Sequence, residues 1–333
     1  MFTVSIIIPV FKVAPYIERC LRSVMAQTYT CIECIMVDDC TPDDSIDICQ
    51  KLINAYSGPI VFKILHHERN RGLSAARNTG TDAATGDYVY YLDSDDAITP
   101  DCISLMAAEV EKHSNLEMVM GAHEIIYKDG NKEVSLAGTE AGYIDDNRWI
   151  RYLFFKKEAG LKVTATNRLV LLDFIKGNGL RFMEGVIHED EHWSFYVYQK
   201  LKRLAVIKEV TYLRFVNPNS IMTTNTPKKR AEAMFPIVSD WIDDFSEPCR
   251  ALQVFKSLEH FRFHVLPYVP KKKAKRLYFV FFRELMRIGE YKIAFYWWIN
   301  WFRDFRHSKL YYTMIPEAHR KACESYSFCE VKK

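Results

Sequence analysis

Short apolar runs alternate with amphipathic segments along the N-terminal part of the chain. The apolar runs predict strands at residues 4–9, 33–38, 59–65 and 88–92. Apolar residues at helical spacing predict helices between these strands, at residues 14–27, 43–53 and 72–84. Because strands joined through helices of this length form βαβ units, the pattern predicts an α/β fold with a mostly parallel sheet flanked by helices.

A polar cluster follows each predicted strand, and the carboxyl ends of parallel strands meet at one edge of a sheet, where ligands bind. The first turn reads Pro9-Val10-Phe11-Lys12 and contains no glycine-rich phosphate loop. No GxxxxGK[ST] segment occurs in the sequence. The pattern therefore predicts a nucleotide-binding domain that is neither a dinucleotide-binding domain nor a P-loop ATPase.

The first two strand ends carry candidates for binding a nucleobase. A carboxylate of Asp38 or Asp39 could accept the N–H of a uracil-like base, and the ring of Phe11 could pack on its face. The alternative is that one of the two acids caps the helix predicted at residues 43–53. The sequence leaves both interpretations open.

Three acids, Asp93, Asp95 and Asp96, crowd the end of the fourth predicted strand. Hard divalent cations prefer oxygen ligands, and Mg²⁺ or Mn²⁺ is commonly held by one or two carboxylates together with substrate phosphates. The alternative is a solvated turn in which Asp96 or Thr99 caps a helix that has Pro100 in its first turn. In isolation the solvated turn is the simpler interpretation, whereas the neighbouring motifs favour a site for a metal and a diphosphate.

Four ordered motifs resemble those of the family 2 glycosyltransferases with a GT-A fold. They occupy residues 5–11, 37–43, 70–80 and 93–96. Cys40 stands where the family usually has glycine, so we expect a slightly different turn with the same acids. The resemblance implies a Rossmann-like GT-A sheet and the transfer of a sugar from a nucleotide sugar, with inversion at the anomeric carbon.

The resemblance also implies roles for individual residues. Asp39, with Asp38 beside it, is similar to the acid that binds the nucleobase. Asp93 resembles the acid near the ribose, and Asp95 resembles the ligand of a divalent metal, Mn²⁺ or Mg²⁺. The implied donor-binding residues are Pro9, Val10, Phe11, Asp38, Asp39, Asn70, Arg77, Asp93 and Ser94.

Elementary chemistry also supports the role in donor binding that the resemblance implies for Arg77. A fixed guanidinium group neutralises the charge of a diphosphate, and a helix N-terminus near Gly72 favours anions. The alternative is an ordinary packed, alanine-rich helix in which Arg77 forms a salt bridge.

A second stretch with chemical potential lies at residues 182–193. His188-Glu189-x-x-His192 matches the zincin pattern literally, which would make Glu189 the base of a zinc hydrolase. No extended zincin motif follows, and this alternative leaves the four earlier motifs unexplained. Glu189-Asp190 instead resembles the family's Glu-Asp motif at the start of an acceptor-side helix. This resemblance implies that Asp190 is the general base of a single displacement, with Glu189 near the diphosphate or the acceptor.

Beyond residue 100, the sequence predicts an amphipathic helix at residues 101–113 and a strand at residues 117–127. Segments 149–156 and 163–175 would supply acceptor-side structure. Arg214 follows a short strand. The open interpretations are that it contacts the diphosphate or the acceptor, or that it pairs with surface acids. Residues 220–226 are polar and suit a flap over the donor. We expect one catalytic domain at 1–227, with a nucleotide-sugar-binding half at 1–99 and an acceptor-side half at 100–227.

Residues 228–333 lack strand patterns, which predicts a helical C-terminal region. A basic run at 271–276 precedes a segment in which aromatic and basic residues are interleaved up to Lys309. Basic residues beside Trp and Phe suit an anionic membrane surface, here through residues 271–309. The alternative is an appendage whose aromatic faces pack on one another or on the catalytic domain. Nucleic acid is not an expected partner.

Composition adds few constraints. The 333 residues are 49% hydrophobic and 26% charged, and the formal net charge of +3 gives no nucleic-acid signature. No apolar run is long enough to span a bilayer, and no signal peptide is recognisable. Nine cysteines suit reduced thiols, and Cys31-x-x-Cys34 lacks the second ligand pair of a zinc site. We therefore expect a cytoplasmic protein, peripheral on the inner face of the cell membrane.

The combined prediction is an inverting glycosyltransferase of cell-surface polysaccharide synthesis. It would use a nucleotide diphosphate sugar, with UDP-sugars as the first candidates because the base-binding acid suits uracil. The acceptor would be a hydroxyl group of a glycan or of a lipid-linked molecule. Two alternatives stay open, a non-catalytic nucleotide-sugar-binding protein and a zinc hydrolase.

Overall fold

The computed structural model describes residues 1–136, 138, 142–156, 161–217, 226–300 and 313–330. The chain divides into two compact units. These comprise Met1–Asn147 with Leu161–Asn219, and Arg148–Gly160 with Ser220–Lys333. The assignment of residues 1–227 to a catalytic domain and 228–333 to a helical region stays a prediction.

The first unit is built on one ten-stranded sheet. In chain order its strands are β1 Val4–Val10, β2 Ile32–Asp38, β3 Val61–His66, β4 Tyr88–Tyr91, β5 Ala97–Ile98, β6 Met118–Ile126, β7 Lys132–Ser135, β8 Gly142–Ile144, β9 Arg168–Leu171 and β10 Leu204–Phe215. Across the sheet the order is β3-β2-β1-β4-β9-β6-β10-β5, with β7 paired to β6 and β8 paired to β10.

The strands β3, β2, β1 and β4 run parallel to one another. Strand β9 lies antiparallel between β4 and β6, and β10 is parallel to β6. The predicted α/β class with a mostly parallel, GT-A-like sheet is confirmed, and the four predicted N-terminal strands correspond to β1–β4. The sequence did not indicate the insertion of β9, because alternation of side chains shows which face is buried and not which strand is the neighbour.

The helices that begin in the first unit are α1 Ile17–Met25, α2 Ser45–Ala55, α3 Leu73–Ala83, α4 Cys102–Lys112, α5 Asn147–Phe155, α6 Leu172–Gly177 and α7 Glu189–Lys200. Asp101 is the N-cap of α4. The expectation that Asp96 or Thr99 caps this helix is therefore wrong, because the short strand β5 separates Asp96 from the helix. The hydroxyl of Thr99 donates instead to the Asp101 carboxylate at 2.7 Å.

Both faces of the sheet are covered, as in other parallel sheets. On one face, Ile6 and Tyr90 belong to an apolar cluster with residues of α1 and α4. On the other face, Gly80 of α3 lies against Ile7, and a Cβ atom on Gly80 would stand 2.4 Å from Ile7 Cγ2. The close approach of α3 to β1 therefore requires glycine, and it brings Arg77, one turn earlier, towards the sheet.

The helices of the second unit are α8 Pro227–Trp241, α9 Arg250–His260, α10 Lys271–Arg287, α11 Tyr291–Asn300 and α12 Ile315–Glu330, with a π-helical turn at Phe261–Val265. This agrees with the predicted helical appendage for the part of the region that the structure describes. Within that part, no helix combines the length and the apolar character needed to cross a membrane.

The aromatic residues of the second unit fall into a buried and an exposed set. Tyr278 and Trp297 stack with ring centroids 4.4 Å apart, and the indole Nε1 donates to the Tyr278 carbonyl at 2.9 Å. Packing therefore accounts for the buried set. The predicted aromatic and basic positions at 301–309 lie outside the described residues. The exposed set on α10 and α11 comprises Phe279, Tyr291, Phe295, Tyr296 and Trp298.

Candidate active site

The ends of β1 and β2 bring the first candidate residues to neighbouring positions. Strand β1 ends at Val10, which is buried together with Pro9, and β2 ends at Asp38. The ring of Phe11, the first residue beyond β1, is 38% exposed. The N–H of Asp39 donates to the carbonyl of Val10 at 3.0 Å, which ties the two strand ends together.

Asp39 is buried and stabilises the loop that leads into α3. Its Oδ1 accepts the N–H of Arg71 and lies 2.7 Å from Nδ1 of His67. Its Oδ2 accepts the N–H of Gly72, also at 2.7 Å. The side chain of Asn70 donates to the Asp39 carbonyl at 3.3 Å. The carboxylate therefore shapes this loop, while its predicted contact with a nucleobase stays a prediction.

Neither Asp38 nor Asp39 caps α2. A carboxylate oxygen of Asp38 accepts the N–H of Thr41 at 2.8 Å. The N-cap of α2 is Asp44, and Oδ1 of the preceding Asp43 accepts the hydroxyl of Ser45 at 2.5 Å and its N–H at 3.3 Å. The capping interpretation of the two β2 acids is therefore wrong, because a turn with its own polar residues lies between the strand and the helix.

Cys40 adopts the left-handed backbone conformation, with a φ of 57°. Glycine reaches this region without steric cost, whereas a side chain costs about 1–2 kcal/mol there. The conformation explains why the family usually has glycine at this position.

Arg77 on α3 joins three acids. Its side chain is 1% exposed, and Nη2 donates to Asp93 Oδ1 at 2.8 Å. Nη1 donates to Glu189 Oε1 and to Asp190 Oδ1, both at 2.8 Å. Burial acts to lower the pKa of Arg77, but the charges of the three acids outweigh it and raise the pKa above its usual value. The salt-bridge interpretation therefore describes Arg77, and a direct contact with the donor stays a prediction.

Glu189 and Asp190 lie in the first turn of α7, where the helix dipole favours negative charge. Burial and then the charge of Asp190 raise the pKa of Glu189 to about 7. Burial also raises the pKa of Asp190, although the charge of Arg77 opposes the shift. The side chain of Asp190 is 25% exposed and that of Glu189 10%. Asp190 is therefore the more accessible acid for a substrate.

The zincin alternative fails on the geometry of α7. A zincin places both histidines on one face of a helix. His188 is instead the N-cap of α7, with a left-handed φ of 69°, and only His192 lies within the helix. Glu189, the expected base, is bonded to Arg77. The literal sequence match therefore does not form a zincin site.

Asp96 joins the end of β4 to β10. Its Oδ2 accepts the hydroxyl of Tyr212 and its Oδ1 accepts the N–H of Phe215, both at 2.8 Å. Burial and the charges of Asp93 and Asp95 raise the pKa of Asp96 to about 8. The solvated-turn interpretation is therefore wrong for this residue.

Asp95 is the predicted metal ligand. Its carbonyl accepts a hydrogen bond from Arg19, and Asn217 bonds to its side chain. Burial and then the charge of Asp93 raise the pKa of Asp95. The negative charges of Asp93 and Asp95 repel each other, which suits the binding of a divalent cation whose coordination shell is completed by substrate phosphates. Across the described ranges, no group of three or more His, Cys, Asp and Glu side chains could hold a metal ion.

The remaining predicted residues lie in varied surroundings. Ser94 is buried between the acids. Arg214 pairs with Ile125 across β10 and β6, and its side chain is exposed. The predicted flap at 220–226 lies outside the described residues except for its last member. That member, Thr226, caps α8 by accepting the N–H of Lys229 at 3.3 Å.

Two residues of the site escaped sequence reasoning. Tyr212 supports Asp96, but its partner lies 116 positions away in the chain and no local pattern indicates the pair. Arg168 is fully buried in β9, and the charge of Asp190 acts on it. A signal did exist for Arg168, because a lone arginine beside the apolar run 169–172 is unusual in a buried strand.

The family model described as "Glycosyl transferase family 2" matches residues 5–167 of the chain. The chain belongs to glycosyltransferase family 2. A curated relative of this family 2 glycosyltransferase is the uncharacterized glycosyltransferase EpsJ of Bacillus subtilis, which is 28% identical over 241 residues. The match covers 68% of this chain and 64% of EpsJ, so it spans less than two thirds of that relative.

Solved structures share the fold of this family 2 glycosyltransferase. S. aureus TarS (residues 1–349) in complex with UDP-GlcNAc has a TM-score of 0.66 and 20% identity, and the match covers 98% of this chain and 91% of TarS. The mannosyltransferase PcManGT from Pyrobaculum calidifontis, in complex with GDP-Man and Mn²⁺, has a TM-score of 0.56 and 14% identity, with 99% and 88% covered. At these identities the likeness shows the fold alone.

Proposed function

We propose that this family 2 glycosyltransferase moves a sugar from a nucleotide diphosphate sugar, in the first place a UDP-sugar, to a hydroxyl group of a glycan or lipid-linked acceptor in cell-surface polysaccharide synthesis. The observation that carries the proposal is the bridge from Asp93 through Arg77 to Asp190. This bridge links the strand edge at which α/β sheets bind ligands to an acid suited to be a base. The TarS complex with UDP-GlcNAc supports a uridine donor.

Asp190 acts as the general base of a single, inverting displacement. Its carboxylate takes the proton of the acceptor hydroxyl while the hydroxyl oxygen forms a bond to the anomeric carbon. The bond from that carbon to the phosphate oxygen breaks, and its electron pair leaves with the nucleoside diphosphate. Arg77 orients the base through the 2.8 Å hydrogen bond, and burial brings the pKa of Asp190 closer to neutral pH, where a base is most effective.

The donor nucleotide would lie along the ends of β1, β2 and β4. We assign the nucleobase to Phe11 and the acids Asp38 and Asp39, and the ribose to Asp93. A carboxylate offers about four lone-pair sites. Asp39 uses three of them for His67 and the N–H groups of residues 71 and 72, so one remains for the N–H of a base.

Asp95 would hold Mn²⁺ or Mg²⁺ together with the donor phosphates. When bound, such an ion stabilises negative charge on the leaving diphosphate. The complex of PcManGT with GDP-Man and Mn²⁺ supports the use of a divalent metal. Glu189 and Arg214 are assigned to the neighbourhood of the diphosphate or the acceptor.

A panel of nucleotide sugars, each with Mn²⁺ or Mg²⁺, tests the proposal. The full chain is incubated with each donor and a mixture of acceptors, nucleoside diphosphate release is measured, and the anomeric configuration of the product is determined by NMR. We expect release from one or a few donors and an inverted product. Binding of nucleotide sugars without any release would support the alternative of a non-catalytic binding protein, and a retained configuration would contradict the role of Asp190.

We also propose that the second unit binds an anionic membrane surface, so that the protein is cytoplasmic and peripheral on the inner face of the membrane. Helices α10 and α11 carry aromatic side chains that are well exposed, such as Phe295 at 57% and Trp298 at 45%. Exposed lysines accompany them, at positions 272, 275 and 292. Aromatic and basic side chains on one surface match the interface of a bilayer with anionic lipids.

A further inference from the structure

Four basic side chains of the first unit lie close together: the charges of three of them act on His123, and one of these three, Arg168, is also acted on by the charge of Asp190. We call them the basic cluster: His123 on β6, Lys162 before β9, Arg168 on β9 and Arg214 on β10. Burial and then the charges of the three cations lower the pKa of His123 to about 4. The imidazole is therefore neutral at pH 7, with three positive charges around it.

Hydrogen bonds hold the cluster next to the base. Arg168 donates through Nη2 to the carbonyl of Lys162 and through Nη1 to the hydroxyl of Ser194 at 3.2 Å. Ser194 belongs to α7, the helix whose first turn carries Asp190. Arg168 therefore joins the segment that carries Lys162 to the helix that carries the proposed base.

The cluster has positive charge and polar atoms without protein partners. Nε2 of His123 and Nε of Arg168 are buried and form no hydrogen bond with any residue that the structure describes. Among the same residues, the side chains of Lys162 and Arg214 form no ion pair or hydrogen bond. The charge of Asp190 acts on Arg168, but the carboxylate of Asp190 is already bonded to Arg77. Buried polar atoms without a partner are rare in native proteins and point to a ligand or ordered water.

We propose that the basic cluster is a subsite for an anionic group, a phosphate or a carboxylate, of the acceptor, beside the hydroxyl group that Asp190 deprotonates. The inference rests on the proposed transfer reaction and names the class of acceptor. The exposed guanidinium group of Arg214 can bind phosphate or carboxylate in a bidentate manner, and the exposed Lys162 adds a point charge. Arg168 is fully buried and already bonded through both Nη atoms, so it contributes its charge and holds the segment of Lys162 in place. A neutral imidazole donates one further hydrogen bond to such a group.

The direction of the displacement decides between acceptor and donor as the source of the anion. In an inverting reaction the attacking hydroxyl and the leaving diphosphate lie on opposite sides of the anomeric carbon. The cluster is joined through Arg168 and Ser194 to α7, the helix that carries Asp190, the proposed base on the acceptor side. The diphosphate belongs with Asp95 after β4. The anion at the cluster therefore comes from the acceptor.

Inorganic phosphate is the first probe. The full chain, with isotope-labelled histidine, is titrated with phosphate while the imidazole resonances of His123, identified with a His123→Gln variant, are followed by NMR. We expect a saturable shift that persists when UDP and Mg²⁺ are present in excess. Loss of the shift on adding UDP would assign the anion to the donor diphosphate and overturn the inference, as would the absence of a saturable shift.

Charge removal provides the second arm. Lys162→Gln and Arg214→Gln should each weaken phosphate binding about 10-fold, the typical size of one charge-assisted hydrogen bond. Lys208→Gln removes an exposed lysine of β10 outside the cluster and should leave phosphate binding unchanged. Circular dichroism confirms that each variant is folded. Equal phosphate affinity in all three variants would overturn the inference.

The acceptor itself is tested with matched sugars. Glucose 6-phosphate and glucuronate are compared with methyl glucoside as acceptors, and diphosphate release is the signal. The KM of the two anionic sugars should be lower than that of methyl glucoside. A preference for the neutral sugar overturns the subsite. UDP affinity and diphosphate release from the donor without acceptor are measured in parallel. If both are absent, the proposed transferase function fails. If both are present and the neutral sugar is preferred, only the anionic subsite fails.

Discussion

Arg77 balances three acids with one positive charge. Each of its contacts with Asp93, Glu189 and Asp190 measures 2.8 Å, and its side chain is almost fully buried. Three carboxylates and one guanidinium group leave a net negative charge in a poorly hydrated site. Burial and this charge explain the raised pKa values of Glu189 and Asp190. Arg77 therefore stabilises the fold and orients Asp190, the proposed base.

Removing the Arg77 charge should destabilise the protein strongly. Arg77→Met leaves three acids without a cation, and breaking a buried ion pair in this way costs about 3–5 kcal/mol. Arg181→Met is the matched control, because Arg181 bonds to Asp82 at the surface at 2.7 Å and such a pair contributes about 0–1 kcal/mol. The free energy of unfolding is measured in urea. Equal stability of the two variants would contradict the central role of Arg77.

The role of Asp190 as a base is tested by Asp190→Asn. The amide keeps the size of the side chain but cannot accept the proton, so transfer should fall by about 10²–10⁴-fold while UDP affinity is kept. Asp82→Asn, at the exposed acid paired with Arg181, is the control and should transfer at the normal rate. Transfer by Asp190→Asn at the control's rate would rule out this assignment.

At the scale of elements, the position of α3 decides where the site lies. Gly80 allows the helix to lie against Ile7 of β1, and Gly72, with a φ of 88°, starts the helix after the loop held by Asp39. Gly72 therefore sets the start of the helix that carries Arg77, and Gly80 sets how closely that helix approaches the sheet.

Two glycine-to-alanine substitutions should have opposite effects. In Gly80→Ala the new methyl group meets Ile7 at 2.4 Å, and overpacking of this kind costs about 1–3 kcal/mol. In Gly177→Ala, at the end of α6, nothing lies within 4 Å, and the loss of unfolded-state entropy should stabilise the protein by about 0.4–1 kcal/mol. Urea denaturation gives both values, and a stabilised Gly80→Ala variant would refute the close approach of α3 to β1.

His319 of α12 contacts residues outside its own helix, and the charge of its imidazole depends on pH. Burial acts to lower the pKa of His319, but its interactions with Cys323 and Glu259 outweigh this effect and raise the pKa to about 9. His319 Nδ1 lies 3.6 Å from Glu259, and Nε2 lies 3.0 Å from the Phe155 carbonyl.

The raised pKa of His319 predicts the direction of a pH effect. The stabilisation is complete below the unfolded pKa of about 6.5 and is lost as the pH rises through the folded value, at a cost of up to about 3 kcal/mol. Unfolding free energies measured in urea between pH 6 and about 10 should fall for the wild type. The fall should be much smaller for His319→Gln, and parallel profiles would contradict the assignment.

At the scale of the whole molecule, one chain contains two units of different character. The first unit covers a ten-stranded sheet on both faces, and its acids and cations lie at the strand ends. The second is helical in the described residues and exposes aromatic side chains on α10 and α11. We propose the transfer chemistry for the first unit and membrane binding for the second.

Flotation with vesicles tests the membrane surface. The full chain should float with vesicles of phosphatidylcholine and phosphatidylglycerol but not with phosphatidylcholine alone, because each basic residue near an anionic surface contributes about 1 kcal/mol. Added salt should weaken the binding.

The aromatic contribution is tested with a double variant, Phe295→Ser with Trp298→Ser, which should bind more weakly. Tyr268→Ser is the control, since Tyr268 is also exposed, at 46%, but lies outside α10 and α11. Equal binding of neutral and anionic vesicles, or equal binding of the double variant and the control, would contradict the proposal.

Much of the first unit follows from the sequence alone. Hydrophobic periodicity is a property of neighbouring residues, and it predicted the strands β1–β4 and the helices between them. The motif spacing identified the family and singled out Asp93, Asp95 and Asp190 as candidates. The predictions of strands and helices succeed because side-chain alternation and helical spacing are set by local backbone geometry, whereas the roles of the three acids stay predictions.

Only the tertiary structure decided which candidates meet. Arg77 reaches Asp93 over 16 positions but Asp190 over 113, and no local pattern encodes the second contact. The same holds for Asp96, which the sequence left as a helix cap and which bonds to Tyr212, 116 positions away. Burial, and with it the pKa values of these acids, arises only when distant segments exclude water together. The sequence therefore determined the elements and the chemical groups, and their packing decided the roles that those groups can play.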